Sequence, residues 1–287
     1  MVRSKVIKLT DRRIIPERVV QGSLLRTSIA DGVKALTGEP TYEDAFQSLF
    51  KPDDVILVKF NRSAAAQLAT SEAMCIALVN LLFNSGFHPD QIMLLEAGEE
   101  VTQTLQTKTA DIRWQGRIVD FGRSGRDSFI AALDQATAII NVPFLKTHHL
   151  ATMTSCLKNL SHGLIRHPAR FHGGGCDPAI GEIVAAPDIR SKLKLNIVNA
   201  LRVPFHRGPE AEESDTDTAG TLIIGPDPVA CDAVGYATLN QIREQHKLPP
   251  LMGPEQVPKQ LITASDLGVG HYDEGQIALQ LLPGQTD

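Results

Sequence analysis

The chain has 287 residues, 43% of them apolar and 21% charged, with a formal net charge of −5. That is enough apolar material for a buried core without disulfides or metal clips. The acidic balance argues against nucleic acid or an anionic membrane as the main partner, and no apolar run approaches the roughly 20 residues of a membrane-spanning helix. The four cysteines are scattered without a Cys-x-x-Cys pair, which speaks for reduced, buried thiols and against an iron–sulfur cluster held by this chain alone. No secretory signal is visible at the start, so the cytoplasm is the default expectation, unless a leader has been removed.

In chain order, residues 6–9 form a short strand pattern, and Leu25, Ile29, Val33 and Leu36 give a helix over 24–36. A second short helix covers 42–50. The run Val55-Ile56-Leu57-Val58-Lys59-Phe60 is apolar on both faces, the pattern of a covered parallel strand. Thr70 or Ser71 can cap a helix that Asn84-Ser85-Gly86 stops. A strand follows at 91–96, then a polar helix at 99–107 and a strand at 117–121. Asp127 is placed to cap a helix running to Leu133, and residues 138–142 return to the sheet. The rhythm predicts an α/β fold: a largely parallel open sheet, helices on both faces, and a site at the carboxyl ends of the strands.

Beyond residue 150 the pattern changes. Leu150, Met153, Leu157, Leu160 and Leu164 fall at helical spacing, and Asp177-Pro178 opens a further helix. Residues 193–198 and 221–224 are strand-like, and a long helix spans 229–245. Residues 204–219 are rich in Glu, Asp, Ser and Thr and predict a mobile acidic insertion. The tail adds a helix near 258–264 and a strand at 276–281. The expectation is a single α/β domain over 1–287.

Titratable residues crowd after two strand ends. Strand alternation places Lys59 and Asn61 on one face, where they could bind an anion or carbonyl. Pro143 stops the next strand, leaving Lys146-Thr147-His148-His149 in a loop or a first helical turn. Neighbouring histidines diverge by about 100° on a helix, so one would point inward and one outward. Thr154, Lys158 and His162 share a helix face, with Asn159 beside it. A lysine next to a histidine lowers the proton affinity of both. Lys146, His148, Lys158 and His162 are therefore the proton-transferring candidates, and Lys59, Asn61, Asn159, Gly173, Gly174 and Asp232 the ligand-binding ones. Asp232, on a helix buried on most sides, needs a cation, with Lys158 or Lys146 as partner. Five of the nine histidines lie between residues 137 and 175. His162, His167 and His172 could hold a divalent transition metal, and the glycines after them could cradle a phosphate or carboxylate.

These motifs together resemble the family catalogued as domain of unknown function 362 over roughly residues 53–245. The resemblance rests on Val58-Lys59-Phe60-Asn61, Asn141-Val142-Pro143 followed by Lys146-Thr147-His148, Leu157-Lys158-Asn159, and Asp227-Pro228-Val229-Ala230-Cys231-Asp232. It implies no substrate. Many members carry an added ferredoxin-like segment whose cysteines are absent here, so that role is not carried over. Where the family pattern has an aspartate after the next core strand, this chain has Asn199. A fainter similarity to nickel-dependent lactate racemases lies in Phe171-His172-Gly173-Gly174-Gly175. Those enzymes follow the glycines with a lysine where this chain has Cys176, and no nickel is assigned.

The function expected is an enzyme for a small anionic or carbonyl-bearing molecule, of isomerase, racemase or lyase type. The competing expectation is a ligand-binding or redox-partner module without catalysis. Either is compatible with a homo-oligomer.

Overall fold

A computed structural model describes residues 3–253 and 255–284. Its central sheet has eight strands: β1 (Ser4–Thr10), β2 (Ile56–Lys59), β3 (Ile92–Leu95), β4 (Lys108–Thr109), β5 (Ala138–Asn141), β6 (Leu193–Ala200), β7 (Thr221–Gly225) and β8 (Ile277–Pro283). The spatial order is β8-β1-β7-β6-β5-β2-β3-β4. Neighbours are parallel except for β7, which runs against both β1 and β6. The mostly parallel α/β sheet read from the apolar runs is therefore present.

Alternation along each strand sorts side chains into two cores. Ile56, Val58, Ile92, Leu94 and Ile140 pack on one face with Leu25, Ile29, Phe46 and Leu78, from the helices Gly22–Thr37, Tyr42–Leu49 and Ser71–Asn84. Leu57, Met93, Leu95 and Ile139 pack on the other, against Leu157 and Leu160 of the Cys156–His162 helix and Ile180 and Ile183 of Ala179–Val184. Val198 and Ile223 meet Ala230 and Val234 of the long Pro228–Gln245 helix. Each fully buried aliphatic side chain contributes about 1.5–3 kcal/mol, so this layering dominates stability. Local signals set the helix ends. Gly38 takes the left-handed conformation (φ 83) after the first helix. The Asp227 carboxylate accepts from the backbone N–H groups of Val229 and Ala230 at the start of the last.

Several local expectations need correction. Residues 146–154 form a β-hairpin, Lys146–His148 against Thr152–Thr154, and not the start of a helix. Its β-branched threonines alternate with buried Met153, and Leu150 is exposed at the turn, so the helical stripe begins only at Leu157. Asp127 caps no helix. It lies in a two-residue strand paired with Val119–Asp120, outside the central sheet, and accepts from the backbone and ring N–H of His167. Only Ala132–Gln135 is helical there. In the acidic 204–219 segment, Thr216–Asp217 pairs with Val203–Pro204, and Phe205, Ala211 and Asp215 are buried. The Arg207 guanidinium bonds Asp215 at 2.6 Å.

Candidate functional site

A cavity of about 600 Å³ opens where the hairpin, the Cys156–His162 helix and the ends of β2 and β3 meet. Its cationic lining is Lys59, Arg62, Lys146 and Lys158, its acids are Glu96 and Glu210, and His148, His149, His162 and His172 complete the polar wall. Four positions far apart in the chain thus converge. Lys59 is the last residue of β2, Glu96 follows β3, Lys146 opens the hairpin, and Lys158 sits in the first turn of the helix.

The floor is a polar row across four strands. Lys59, Asn141, Asn196 and Gly225 are register partners on β2, β5, β6 and β7. Lys59 Nζ donates to the Phe60 carbonyl, to Glu96 Oε2 (3.0 Å) and to Asn159 Oδ1 (3.0 Å). Asn159 Nδ2 donates to Asn141 Oδ1 (2.8 Å), Asn141 Nδ2 to Asn196 Oδ1 (2.9 Å), and Asn196 Nδ2 to the Gly225 carbonyl (3.2 Å). Every member is buried and bonded, the condition under which a polar row inside a protein holds a unique arrangement. It clamps the helix bearing Lys158 to the sheet. Each of the three Lys59 hydrogens has an acceptor, and these bonds fix Asn159 and Glu96 in place. Burial lowers its proton affinity, and Glu96 opposes that.

Two glycines and one strained residue make room for this. A Cβ on Gly163 would stand 2.6 Å from Lys59 Nζ. Glu96 itself has φ 62, an uncommon conformation for a non-glycine residue, and its carboxylate also accepts from the Arg62 backbone N–H at 2.9 Å. Gly208 touches the Thr147 carbonyl so closely that a Cβ would fall 2.2 Å from its oxygen, which ties the acidic segment to the hairpin and brings Glu210 to the rim.

The remaining lysines have no carboxylate within ion-pair distance. Lys146 Nζ, only 1% exposed as a residue, donates to the carbonyl (2.8 Å) and hydroxyl (3.0 Å) of Ser63. Burial pushes its pKa down to about 8, with Glu210 opposing and the Lys158 charge assisting. Lys158 Nζ faces only His172 Nε2 (3.4 Å) and Cys176 Sγ (3.9 Å), and burial lowers its affinity for a proton as well. The expected mutual depression runs one way: the Lys158 charge adds to burial in lowering His148, His162 and His172, while Lys158 itself is lowered by burial.

The histidines are stacked. The rings of His148 and His149 stack 5.0 Å apart and nearly parallel, and both line the cavity, so neither points away as a helical geometry would require. His148 Nδ1 accepts from the backbone N–H of Leu150 (3.1 Å) and Ala151 (3.2 Å). Its proton therefore sits on Nε2. Burial and then Lys158 hold its pKa down to about 3, which makes it a neutral hydrogen-bond donor and not a base. His162 is likewise held down to about 3, by burial and then Lys158, and its Nε2 is buried without a hydrogen-bond partner. Asn61 Oδ1 is also buried and unpartnered at the cavity wall.

Other expected site residues lie elsewhere. Asp232 is fully buried, yet it meets no lysine. Its carboxylate accepts from the backbone N–H of Cys156 (2.6 Å) and Leu157 (3.1 Å), at the first turn of the lysine-bearing helix. Those donors, with the positive end of the helix, substitute for a cation. Burial still pushes its pKa up to about 6. His167 turns to Asp127 (2.9 Å), and Gly173 and Gly174 stand in an exposed turn outside the cavity lining. Asn199, where the family pattern has an acid, donates to Thr70 Oγ1 (3.0 Å). Ser63, Glu96, Gly163, Cys176 and Glu210 were not anticipated. Glu96 alone had a signal, an acid directly after an apolar strand.

A family model described as Domain of unknown function (DUF362) matches residues 100–237. The chain resembles that family. The matched segment holds the Asn141-Val142-Pro143, Lys146-Thr147-His148, Leu157-Lys158-Asn159 and Asp227–Asp232 motifs, while Lys59 and Asn61 lie before it. No curated protein matches the chain. The four cysteines are free and buried, and no helix among the described residues is long and apolar enough to cross a membrane.

Proposed function

We propose that the cavity binds a small carboxylate or carbonyl-bearing anion and moves a proton on it, as an isomerase, racemase or lyase would. The observation that carries this is Lys146, a buried amine with its pKa near 8 and no carboxylate within ion-pair distance. When neutral, its two hydrogens serve Ser63 and its lone pair remains to accept a proton. Lys158 and the rim residue Arg62 supply the positive field that draws and orients an anion. His148 Nε2–H offers a neutral donor for an oxygen on which negative charge develops. Asn61 Oδ1 accepts from a hydroxyl or amide N–H on the ligand.

The test is solvent exchange. A panel of small 2-hydroxy, 2-oxo and amino carboxylates is incubated with the protein in deuterium oxide, and deuterium at the carbon beside the carbonyl or carboxylate is read by mass spectrometry. At least one class should exchange, and Lys146→Met should abolish exchange while Lys158→Met raises the concentration needed for it. Exchange that survives Lys146→Met at full rate would refute the assignment. Absence of exchange across the panel, with ligand binding intact, would favour a non-catalytic binding module.

A further inference from the structure

His162 and His172 present two ring nitrogens to the cavity, one without a hydrogen-bond partner and one facing only the Lys158 ammonium. His172 Nδ1 lies 3.0 Å from the Pro168 carbonyl, which can only accept, so the ring hydrogen is on Nδ1 and Nε2 is unprotonated. His162 Nδ1 lies 3.1 Å from Ser161 Oγ, which is also 3.2 Å from the Lys158 carbonyl, so the hydroxyl can satisfy that nitrogen. His162 Nε2 is buried without a hydrogen-bond partner, and a metal ion would give it one. A backbone or hydroxyl oxygen on one ring nitrogen, with the other left free, is how metal-binding imidazoles are oriented. The two rings meet edge to face, 4.6 Å between centroids. Cys176 Sγ completes the group: one ligand atom from each of His162, His172 and Cys176 lies within 4.8 Å of the others.

We propose that His162, His172 and Cys176 form a site for a zinc-type divalent transition ion, with Lys158 as a built-in competitor for the same space. The Lys158 ammonium touches both His172 Nε2 and Cys176 Sγ, so a cation already stands where the ion would sit. Zinc bonds of about 2.0–2.3 Å require donor atoms about 3.3–3.8 Å apart, a contraction of about 1 Å. The Gly173–Cys176 turn, with Gly174 and Gly175 at positive φ, joins two of the three ligands and can absorb it. On binding, the metal–sulfur bond replaces the Cys176 S–H bond, and one proton is released to buffer. His162 and His172 line the cavity, so the fourth coordination position faces the ligand space. Two histidines and a thiolate select zinc, cobalt or nickel over magnesium or calcium.

The experiment uses the full chain, reduced, stripped with a chelator and titrated with Co2+. One equivalent should bind and produce a thiolate-to-cobalt charge-transfer band. Cys176→Ser should lose the band, and His172→Gln, at a partly exposed ring, should weaken binding about tenfold or more. Lys158→Met should tighten binding with the band retained, and His167→Ala should change nothing. A missing band in the unaltered protein, a band that persists in Cys176→Ser, or unchanged binding by His172→Gln would overturn the proposal. If Cys176→Ser does not fold, the His172→Gln and Lys158→Met pair decides the matter. The optical readout is independent of solvent exchange by the metal-free protein, so either reading can fail alone.

Discussion

Lys146 provides the sharpest quantitative test. A lysine amine at its usual pKa of 10.5 is neutral in about 0.03% of molecules at pH 7, whereas one at about 8 is neutral in about 10%, some 300-fold more. Competitive acylation with acetic anhydride across a pH series, followed by peptide mass spectrometry, reads this directly, because only the neutral amine reacts. Restricted access of the reagent slows the absolute rate but leaves the midpoint of the pH dependence at the amine's pKa. The Lys146 midpoint should fall near 8, well below the usual lysine value of 10.5. Its neighbours give the sign of the controls: Glu210→Gln removes an opposing charge and should lower the midpoint further, and Lys158→Met should raise it. The same shift enters stability. Between about pH 8 and 10.5 the unfolded chain binds the proton that folded Lys146 has lost, so stability should rise with pH through that window. The Lys146 share is about 3 kcal/mol, fully present above 10.5 and lost as pH falls through 8, and Lys146→Met should flatten the rise. A midpoint at or above 10 would refute the argument that burial without a carboxylate leaves this amine free to take a proton.

Three further outcomes follow from the framework around the cavity. Asn159→Ala strands Asn141 Oδ1 and a Lys59 hydrogen in the interior, and chemical denaturation should show a loss of about 2–4 kcal/mol. Gly163→Ala is at φ −82, where alanine would ordinarily gain about 0.4–1 kcal/mol, but the clash with Lys59 costs about 1–3. The clash should win, and a lowered melting temperature checks it. The Asp232 carboxyl, raised to about 6, favours folding most below about pH 4 and loses that contribution as pH rises to 6, about 3 kcal/mol in all. Asp232→Asn should abolish that slope in a pH series of denaturation curves.

The parallel sheet was legible because covered strands read as unbroken apolar runs, and strand alternation alone placed Lys59 on the inner face with the later cavity. The hairpin at 146–154 was not legible. Short strands and a short helix both suit a Leu and Met pattern at spacing three to four, and only the tertiary contact of Thr147 with the acidic segment decides between them. Asp232 misled for a related reason. A buried carboxylate demands compensation, but sequence cannot tell a lysine from two backbone N–H groups at a helix start contributed by residues about 75 positions away. Cys176 was passed over because a lone cysteine carries no spacing signal, and its neighbours His162 and His172 reach it only through the turn at 168–176.

The cavity wall therefore divides by how its polar groups are satisfied. Lys59, Asn159 and Asn141 are saturated, and substituting any of them should first show as lost stability, because each holds another in place. Lys146, Lys158, His162 Nε2 and Asn61 Oδ1 lack the partners a purely structural role would give them. Folding bears a cost for every buried group left so, of order 1–3 kcal/mol for a neutral one and more for a charge. Two buried lysine amines with no carboxylate in ion-pair distance are hard to explain as packing, since a methionine in either position would fill the space at lower cost. On the proposed function an anion between Lys146 and Lys158 would offset that cost, which leads to a last consequence. Small carboxylates should raise the melting temperature of the unaltered protein and slow Lys146 acylation in step; they should not raise the melting temperature of the Lys146→Met, Lys158→Met double variant, and Lys158→Met alone should weaken the protection of Lys146. Stabilisation that persisted in the double variant would place the anion elsewhere on the molecule.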